Sequence, residues 1–471
     1  MSGLRGAGLD PQLAAALRAI VGEAGWLGPE AAAERAASSA KAMVATPAAL
    51  VRPRGTEEVA AVLRACHAAR QPVVAWGGLS GLVHGQDPAP GALALSLERM
   101  AAVEEIDPVG RTGTVQAGVT LQAFQEAVEA RGLMFPLDLG ARGTATVGGA
   151  VATNAGGNRV LRYGMMREMV LGLEAVLPDG TVVGAMNRLI KNNSGYDLKH
   201  LFVGSEGTLG VVTRAVLRLR ERPGSHDVAL VALPGFAAVV GLLRIVDRGL
   251  GGQLSAFEVM WHDHYRLVTT PPAQGTPPVP HGHPFYVLVE AHGARPEGDS
   301  ARFLEALAEA QEAGYAVETA VARSGSERTR LWAIRDDVGQ VRRFEPYFTF
   351  DVSLPIAEMD SYVAQVEAAF RRRWPGGHCS VFGHIADGNL HLLLAPRAGT
   401  GEPDARREVE EMVYRPLARV RGAVSAEHGI GLEKKPWLGI SRTPEEIALM
   451  RSLKRCVDPH GILNPGKVVD A

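Results

Sequence analysis

Cysteine is scarce in this chain. Its 471 residues hold only Cys66, Cys379 and Cys456, far apart and with no CxxC pair. That excludes a cysteine-held cluster and points to reduced thiols in a cytosolic setting. Cys66 falls at helical spacing with Val59, Val62 and Leu63 and reads as core. Excess charge is missing too, since 49 lysines and arginines face 51 aspartates and glutamates, a formal charge of −2. Nucleic acid and anionic membrane surfaces are therefore poor main partners. No apolar run is long and clean enough to span a bilayer. The best, Val228 to Leu243, is broken by Pro234-Gly235 and reads as strand, turn and helix. Near the N-terminus Arg5 is followed by no apolar block, which argues against a secretory signal. Asp10-Pro11 instead starts an amphipathic helix, with Asp10 as its cap. A cytoplasmic protein with no transmembrane segment is expected, peripheral membrane attachment staying open.

What is present is a chain long enough for two or three domains. An Ala-rich helical lead-in covers residues 1–45. Residues 46–222 alternate short strands and helices. Thr56 is placed to cap a helix through Arg70, and Pro72–Trp76 reads as a strand. Thr120 to Arg131 reads as a helix that Gly132 ends, and Leu171 to Ala185 as a hairpin around Pro178-Asp-Gly180. Composition shifts after Arg222. In residues 223–415, Val228–Leu233, Phe285–Ala291 and Phe348–Leu354 read as strands, with helices at Ala301–Gly314 and Ile356–Arg373. This predicts a second sheet with helices on one face. Thr270 to Pro284 is a Pro/Gly-rich loop, either a surface excursion or a lid. Residues 416–471 are expected to be mostly helical. The class is α+β, with no internal repeat.

Glycine is plentiful in the first half and falls in four clusters: Gly77 to Gly81, Val147 to Gly157, Arg162 to Gly164, and Gly204 to Gly210. Glycine turns tightly at positive φ and lets a ligand approach main-chain N–H groups, which together make anion-binding hollows. Ser80, Thr146, Asn154 and Ser205 add hydrogen-bonding side chains to these clusters. None fits GxGxxG, so a Rossmann dinucleotide site is not supported. Gly461 to Lys467 matches GxxxxGK, but Val468 stands where a P-loop needs Ser or Thr, and a P-loop is rejected.

The second half carries Phe382-Gly-His-Ile-Ala-Asp-Gly-Asn-Leu-His391, and 36 residues after His391 comes Glu427-His-Gly-Ile-Gly431. Two strands joined at Ala386-Asp-Gly388 would put His384 and His391 on one face. Two imidazoles and a carboxylate suit a divalent metal with open positions. A further imidazole, His428, would move a proton near neutral pH. Hydrogen-bonded sheet histidines are the alternative on spacing alone. His262/His264 and His281/His283 have metal-like spacing but no third ligand and read as surface residues.

Taken in order, Val147-Gly-Gly149 with Thr153-Asn-Ala-Gly-Gly157, Gly204-Ser-Glu-Gly-Thr-Leu-Gly210, His384…His391, Glu427 to Gly431, and Asp458-Pro…Asn464-Pro-Gly-Lys467 resemble one family. It is the FAD-linked oxidases and dehydrogenases of the vanillyl-alcohol oxidase / p-cresol methylhydroxylase superfamily, in the D-2-hydroxy-acid dehydrogenase branch. The resemblance implies a two-part FAD-binding domain, a second α+β substrate (cap) domain, and a C-terminal helical segment returning to the flavin. It implies that Trp76, Gly77, Gly78, Leu79, Ser80, Gly81 and Leu82 wrap the FAD pyrophosphate. Pro136, Asp138, Gly140, Thr146, Val147, Gly148, Gly149, Thr153 and Asn154 would line more of the cofactor. So would Gly204, Glu206, Gly207, Gly210, Val211 and Val212, with Asn464 returning from the C-terminus. Leu79-Ser80 stands where the superfamily often places a tethering histidine, so FAD is expected to be non-covalent. A metal would sit on His384, His391 and Glu427, with Zn²⁺ favoured by the ligand set and Mn²⁺, Fe²⁺ and Co²⁺ compatible.

The implied reaction oxidises a 2-hydroxy acid, with His428 as base and Arg335 clamping the carboxylate. An external acceptor would take the electrons (quinone, electron-transfer flavoprotein or cytochrome), and the chain is compatible with a homodimer. Two positions depart from dicarboxylate-using members: Thr349 replaces a lysine and Gly339 a threonine. A small or apolar tail, as in D-lactate, is the simpler expectation, with D-2-hydroxyglutarate as the alternative. Two other readings are a non-redox alkyl-for-acyl exchange enzyme and a flavin subunit that works only within a glycolate-oxidase-like complex.

Overall fold

Side chains near helix ends set several elements where the sequence places them. In this computed structural model, which describes residues 9–396 and 402–470, Asp10 accepts the N–H groups of Gln12 and Leu13, both at 2.9 Å. That starts the helix Pro11–Val21. The first eight residues of the lead-in, Arg5 among them, lie outside the described residues. Thr120 caps Leu121–Glu129 through the Ala123 N–H, and Gly132 at φ +75° turns the chain away afterwards. Thr56 departs from expectation. It is the first residue of the helix Thr56–Ala69, and its hydroxyl donates to Glu174 Oε1 at 2.6 Å. Because Thr56 is already the first helical residue, the cap position falls to Gly55, which has no side chain to accept the first N–H groups.

The described residues divide into two compact units: 9–157, 164–222 and 427–470 in one, and Asn158–Tyr163 with Pro223–Ala426 in the other. The first unit holds a four-stranded sheet in the order Trp26–Leu27, Ala49–Val51, Leu93–Ser96, Val73–Trp76, the last three parallel. A five-stranded antiparallel sheet follows, with Val211–Arg218 central and the Val170–Val176/Val182–Ala185 hairpin at one edge. Leu13 and Leu17 of the first helix pack with Val59, Leu63 and Cys66 over the small sheet. Burial pushes the Cys66 thiol up to about 12, as expected of a core residue. Toward the C-terminus, Pro444–Val457 is the main helix, with a capping box at Thr443; short helical turns at Lys435–Trp437 and Leu438–Ser441 precede it and irregular chain follows.

The second unit is built on seven antiparallel strands among the described residues. Their order is Glu318–Val321, Ser225–Leu233, Phe285–Gly293, Leu254–Trp261, His378–His384, Asn389–Ala395, Phe348–Ser353. Helices cover both faces, not one. Phe236–Leu250 and Met359–Arg373 lie on one side, seen in the Phe236–Phe285 and Cys379–Glu367 contacts. Residues of His262–Thr269 and Gly325–Asp336 pack on the other with Met260, Tyr286, Leu288 and Phe382. The reason is visible in the central strand Leu254–Trp261, whose eight residues are all buried. A strand apolar on both sides demands cover on both. The Thr270 to Pro284 loop is anchored: Val279 is buried in this core and its carbonyl accepts from Tyr265 Oη at 2.8 Å.

Candidate active site

In the first unit the chemistry is carried by backbone. Trp76 ends its parallel strand with Nε1 donating to Gln86 O at 2.8 Å, and the chain then enters Gly77-Gly78. A Cβ on Gly78 would sit 1.7 Å from Thr144 O, and one on Gly77 2.6 Å from Thr146 Oγ1. Only glycine lets this loop lie on the 144–149 segment. Leu79 follows at φ +56°, and among the described residues no group accepts from the N–H groups of residues 78–82. Free N–H groups around a left-handed turn make an anion hollow, so this loop, with Ser80 and Gly81 at its centre and Leu82 exposed beyond them, fits a pyrophosphate.

Thr146 caps the helix Val147–Thr153 by accepting the Gly149 N–H at 3.2 Å, and Gly148 packs on Ala117. Asn154 ends that helix at φ +50°, its Oδ1 taken by the Arg167 N–H. Pro136 is buried, while Gly140 is exposed with open space around it. The carbonyl of Asp138 lies against Gly157, where a Cβ would come within 2.0 Å. The Gly204–Gly210 loop turns at Glu206 (φ +51°) and Gly207 (φ +69°) before Val211 and Val212 open their strand. Asn464 sews these pieces together, accepting the Ala75 N–H at 2.9 Å and donating to Glu206 O at 2.6 Å. The P-loop look-alike is therefore a strap. Its Lys467 is buried against Asp87 O, and burial pulls the ammonium down to about 8.

Glu206 does more than turn the loop. Its carboxylate accepts the N–H groups of Ile430 at 2.6 Å and Gly431 at 2.8 Å. Burial raises its pKa, against the lowering by those N–H groups and Lys434. Gly429 (φ +85°) and Gly431 (φ +52°) have no room for a Cβ, which would meet Glu206 and Val83 O respectively. The segment bearing Glu427 and His428 is thus clamped from below.

In the second unit the chemistry is carried by side chains. Directly opposed residues of antiparallel strands share a face, and here Glu258 opposes His384, Phe382 opposes His391, and His391 opposes Asp351. His384 and His391 rings lie 5.4 Å apart. Glu258 Oε1 is 2.7 Å from His384 Nδ1, and Oε2 accepts Arg335 Nε at 2.8 Å. Arg335 Nη2 lies 3.2 Å from His384 Nε2, with its guanidinium over the Phe382 ring. Burial alone would raise the Glu258 pKa; His384 and Arg335 beside it outweigh that and hold the carboxyl below its usual range.

Asp351 is fully buried and holds Asn389 Nδ2 at 2.9 Å with one oxygen. Its other oxygen accepts the Ser425 hydroxyl and the Ala426 N–H, at 3.3 and 3.2 Å. Ala426 is the last residue of this unit, and Glu427 is bonded to it.

A second polar cluster lies on the same sheet face. Glu290 is fully buried and binds Arg159 Nε at 2.8 Å, His226 Nε2 at 2.8 Å and Trp332 Nε1 at 2.9 Å. Although burial opposes ionisation, the Arg159 charge and the His226 hydrogen bond hold its carboxyl far below the usual range. His292 stays neutral because burial pulls it down to about 3. Two histidines and a carboxylate resemble a metal set, but this carboxylate is already saturated by donors.

Sequence reading missed Glu258, Glu290 and Asp351. Each is a carboxylate inside an otherwise apolar strand, and that pattern was the available signal. It also misplaced His264, which is fully buried and stacked on Phe382 at 4.3 Å, with Nδ1 3.2 Å from Ser380 Oγ. Burial, with Arg335 nearby, pulls it down to about 3. Its position on the inner side of His262–Thr269 put it in the core rather than in a loop.

Residues 47–185 match the FAD binding domain family, and residues 222–468 match the C-terminal domain of FAD linked oxidases. The chain is 40% identical to D-2-hydroxyglutarate dehydrogenase of Xanthomonas citri pv. viticola, covering 90% of this chain and 89% of that one. It is 41% identical to the mitochondrial D-2-hydroxyglutarate dehydrogenase of Bos taurus, over 89% of this chain and 76% of the other. A Schizosaccharomyces pombe protein provisionally named D-lactate dehydrogenase is 37% identical, over 89% and 81%. Among solved structures, alkyldihydroxyacetonephosphate synthase superposes with a TM-score of 0.80 at 18% identity, covering 98% of this chain and 87% of that one. Substrate-bound p-cresol methylhydroxylase gives 0.78 at 16%, covering 98% and 96%. These two likenesses establish the fold alone. With a cradle of backbone N–H groups in one unit, a histidine–arginine–carboxylate face in the other, and relatives at 40% identity along most of its length, the chain belongs to the FAD-linked oxidase family.

Proposed function

We propose that this protein is an FAD-dependent dehydrogenase that oxidises a D-2-hydroxy acid to the 2-oxo acid. The observation that carries the reading is the shared sheet face of the second unit, where His384, His391 and Arg335 converge. Residues 76–82, 136–154, 204–212 and Asn464 would hold FAD non-covalently, and the bound flavin would supply the hydride acceptor. His384, His391 and Glu427 would hold a divalent cation, Zn²⁺ by ligand type, that polarises the α-hydroxyl. Arg335, held by Glu258 at Nε, would bind the substrate carboxylate through its guanidinium. His428 accepts the hydroxyl proton. Asp351 supports the metal reading by fixing Ala426, the neighbour of Glu427.

Two observations bear on the substrate tail. Thr349 and Gly339, both exposed, offer no charge to a distal carboxylate, and Arg343 is occupied by Gln340 and Leu267 O. That favours a small tail, as in D-lactate. The names of the Xanthomonas and bovine relatives favour D-2-hydroxyglutarate as the second reading. The electron acceptor is external, and quinone, electron-transfer flavoprotein and cytochrome are the classes to assay. No helix among the described residues is long and apolar enough to cross a membrane. The free cysteines suit a reducing compartment, which we take to be the cytoplasm.

Anaerobic stopped-flow bleaching of the flavin band tests the reading, with D- and L-lactate, D-2-hydroxyglutarate and D-malate, before and after chelation. Bleaching by a D-hydroxy acid that chelation removes and Zn²⁺ or Mn²⁺ restores is the expected result. A flavin that none of these acids reduces would overturn it.

A further inference from the structure

The geometry points to Glu258 as a positioning residue that sets the metal ligand His384 and the substrate clamp Arg335 at once; this rests on the reading of the site given above. Glu258 lies mid-strand, its carboxylate almost wholly buried, directly opposite His384 in the sheet register. It spends one oxygen on each partner, Oε1 on His384 Nδ1 at 2.7 Å and Oε2 on Arg335 Nε at 2.8 Å. A carboxylate only accepts, so His384 must carry its proton on Nδ1. The same tautomer follows from the other side of the ring, because the guanidinium 3.2 Å from Nε2 only donates. Nε2 therefore carries the ring's lone pair, the tautomer a metal requires, facing Arg335 Nη2 in this structure, with a carboxylate behind the imidazole to fix its orientation.

On the other oxygen, Glu258 ties down Nε of Arg335, whose Nη1 meets Asp336 at 3.4 Å and whose Nη2 lies 3.2 Å from His384 Nε2, so the carboxylate helps fix the plane of the guanidinium. Phe382 beneath the guanidinium limits its tilt. One buried carboxylate thus couples two subsites, which an amide could not do. Glutamine has a single acceptor oxygen, and its NH₂ would oppose either the Nδ1–H or the Nε–H.

Glu258→Gln should therefore weaken both subsites. In chelator-stripped full-length protein titrated with Zn²⁺, affinity should fall at least about tenfold. In the metal-loaded enzyme, KM for the hydroxy acid should rise with it, and Glu258→Asp should recover part of each loss. Zn²⁺ affinity and KM both within about twofold of the wild type would overturn the assignment. His384→Ala separates this from the reading beneath it. If His384→Ala loses Zn²⁺ and Glu258→Gln does not, only Glu258 is wrongly assigned; if His384→Ala binds Zn²⁺ like the wild type, the metal reading itself falls. Should Glu258→Gln fail to fold, ¹⁵N-histidine spectra of the stripped wild type decide the tautomer. An Nδ1–H, Nε2-lone-pair signal for His384 supports the proposal, and an Nε2–H signal overturns it.

Discussion

Two buried glutamates, one in each unit, meet opposite fates. Glu206 in the first unit faces two backbone N–H groups, and burial prevails, raising its pKa. Glu290 in the second unit faces Arg159 and two imidazoles, and its pKa falls. Two backbone N–H groups with Lys434 do not repay the desolvation of Glu206, whereas Arg159, hydrogen-bonded at 2.8 Å, with the imidazoles repays that of Glu290. The contrast extends to the sites around them. The first unit builds its cradle from main-chain N–H groups and needs glycines, with few charges. The second builds a face of charged and imidazole groups, and needs buried carboxylates to hold them.

The comparison can be broken first at Glu290. Glu290→Ala leaves Arg159 beside an emptied pocket and should cost about 3–5 kcal/mol, read by urea unfolding. A loss below about 1 kcal/mol would mean the network is held by packing instead. Next comes the backbone side of the contrast. Gly78→Ala forces a methyl onto Thr144 O and should cost about 1–3 kcal/mol of loop distortion, seen as lowered flavin content in purified protein. Normal flavin content would show that the cradle tolerates a side chain.

A smaller effect is expected at the substrate tail. Thr349→Lys should raise the preference for D-2-hydroxyglutarate over D-lactate about tenfold in kcat/KM, about 1.4 kcal/mol, the value of one charged hydrogen bond. An unchanged ratio would place the distal group elsewhere. The smallest effect concerns Glu206 and pH. Its folded pKa lies above the unfolded one, so its contribution to stability is full below the ordinary glutamate range and is lost as pH rises through the folded value. Glu206→Gln should remove that loss, so the variant gains on the wild type as pH rises above the ordinary glutamate range of about 4 in unfolding measurements. A variant that loses ground as pH rises would reverse the sign and equate the two glutamates.

Much of this was legible in the residues. Asp10, Thr120 and Gly132 announced helix ends because capping is local chemistry, complete within four residues. Gly77-Gly78 announced a tight loop for the same reason. His384 and His391 could be placed on adjacent strands from the turn between them. Thr56 was misread because its partner, Glu174, is 118 residues away. His264 was misread because loop-like neighbours hid a helix that buries it.

The sequence by itself determined the family motifs, the α+β pattern, the glycine cradle and the histidine pair, since each is written within a short stretch. Only the tertiary structure decided that helices cover both faces of the seven-stranded sheet, that Asn464 sews strand to loop, and that Glu258, Asp351 and Glu290 are the carboxylates that matter. A lone acidic residue in an apolar strand has no meaning until strand register supplies its partners. Register is set by pairings dozens to hundreds of residues apart, as between Glu258 and His384, and no local pattern encodes it.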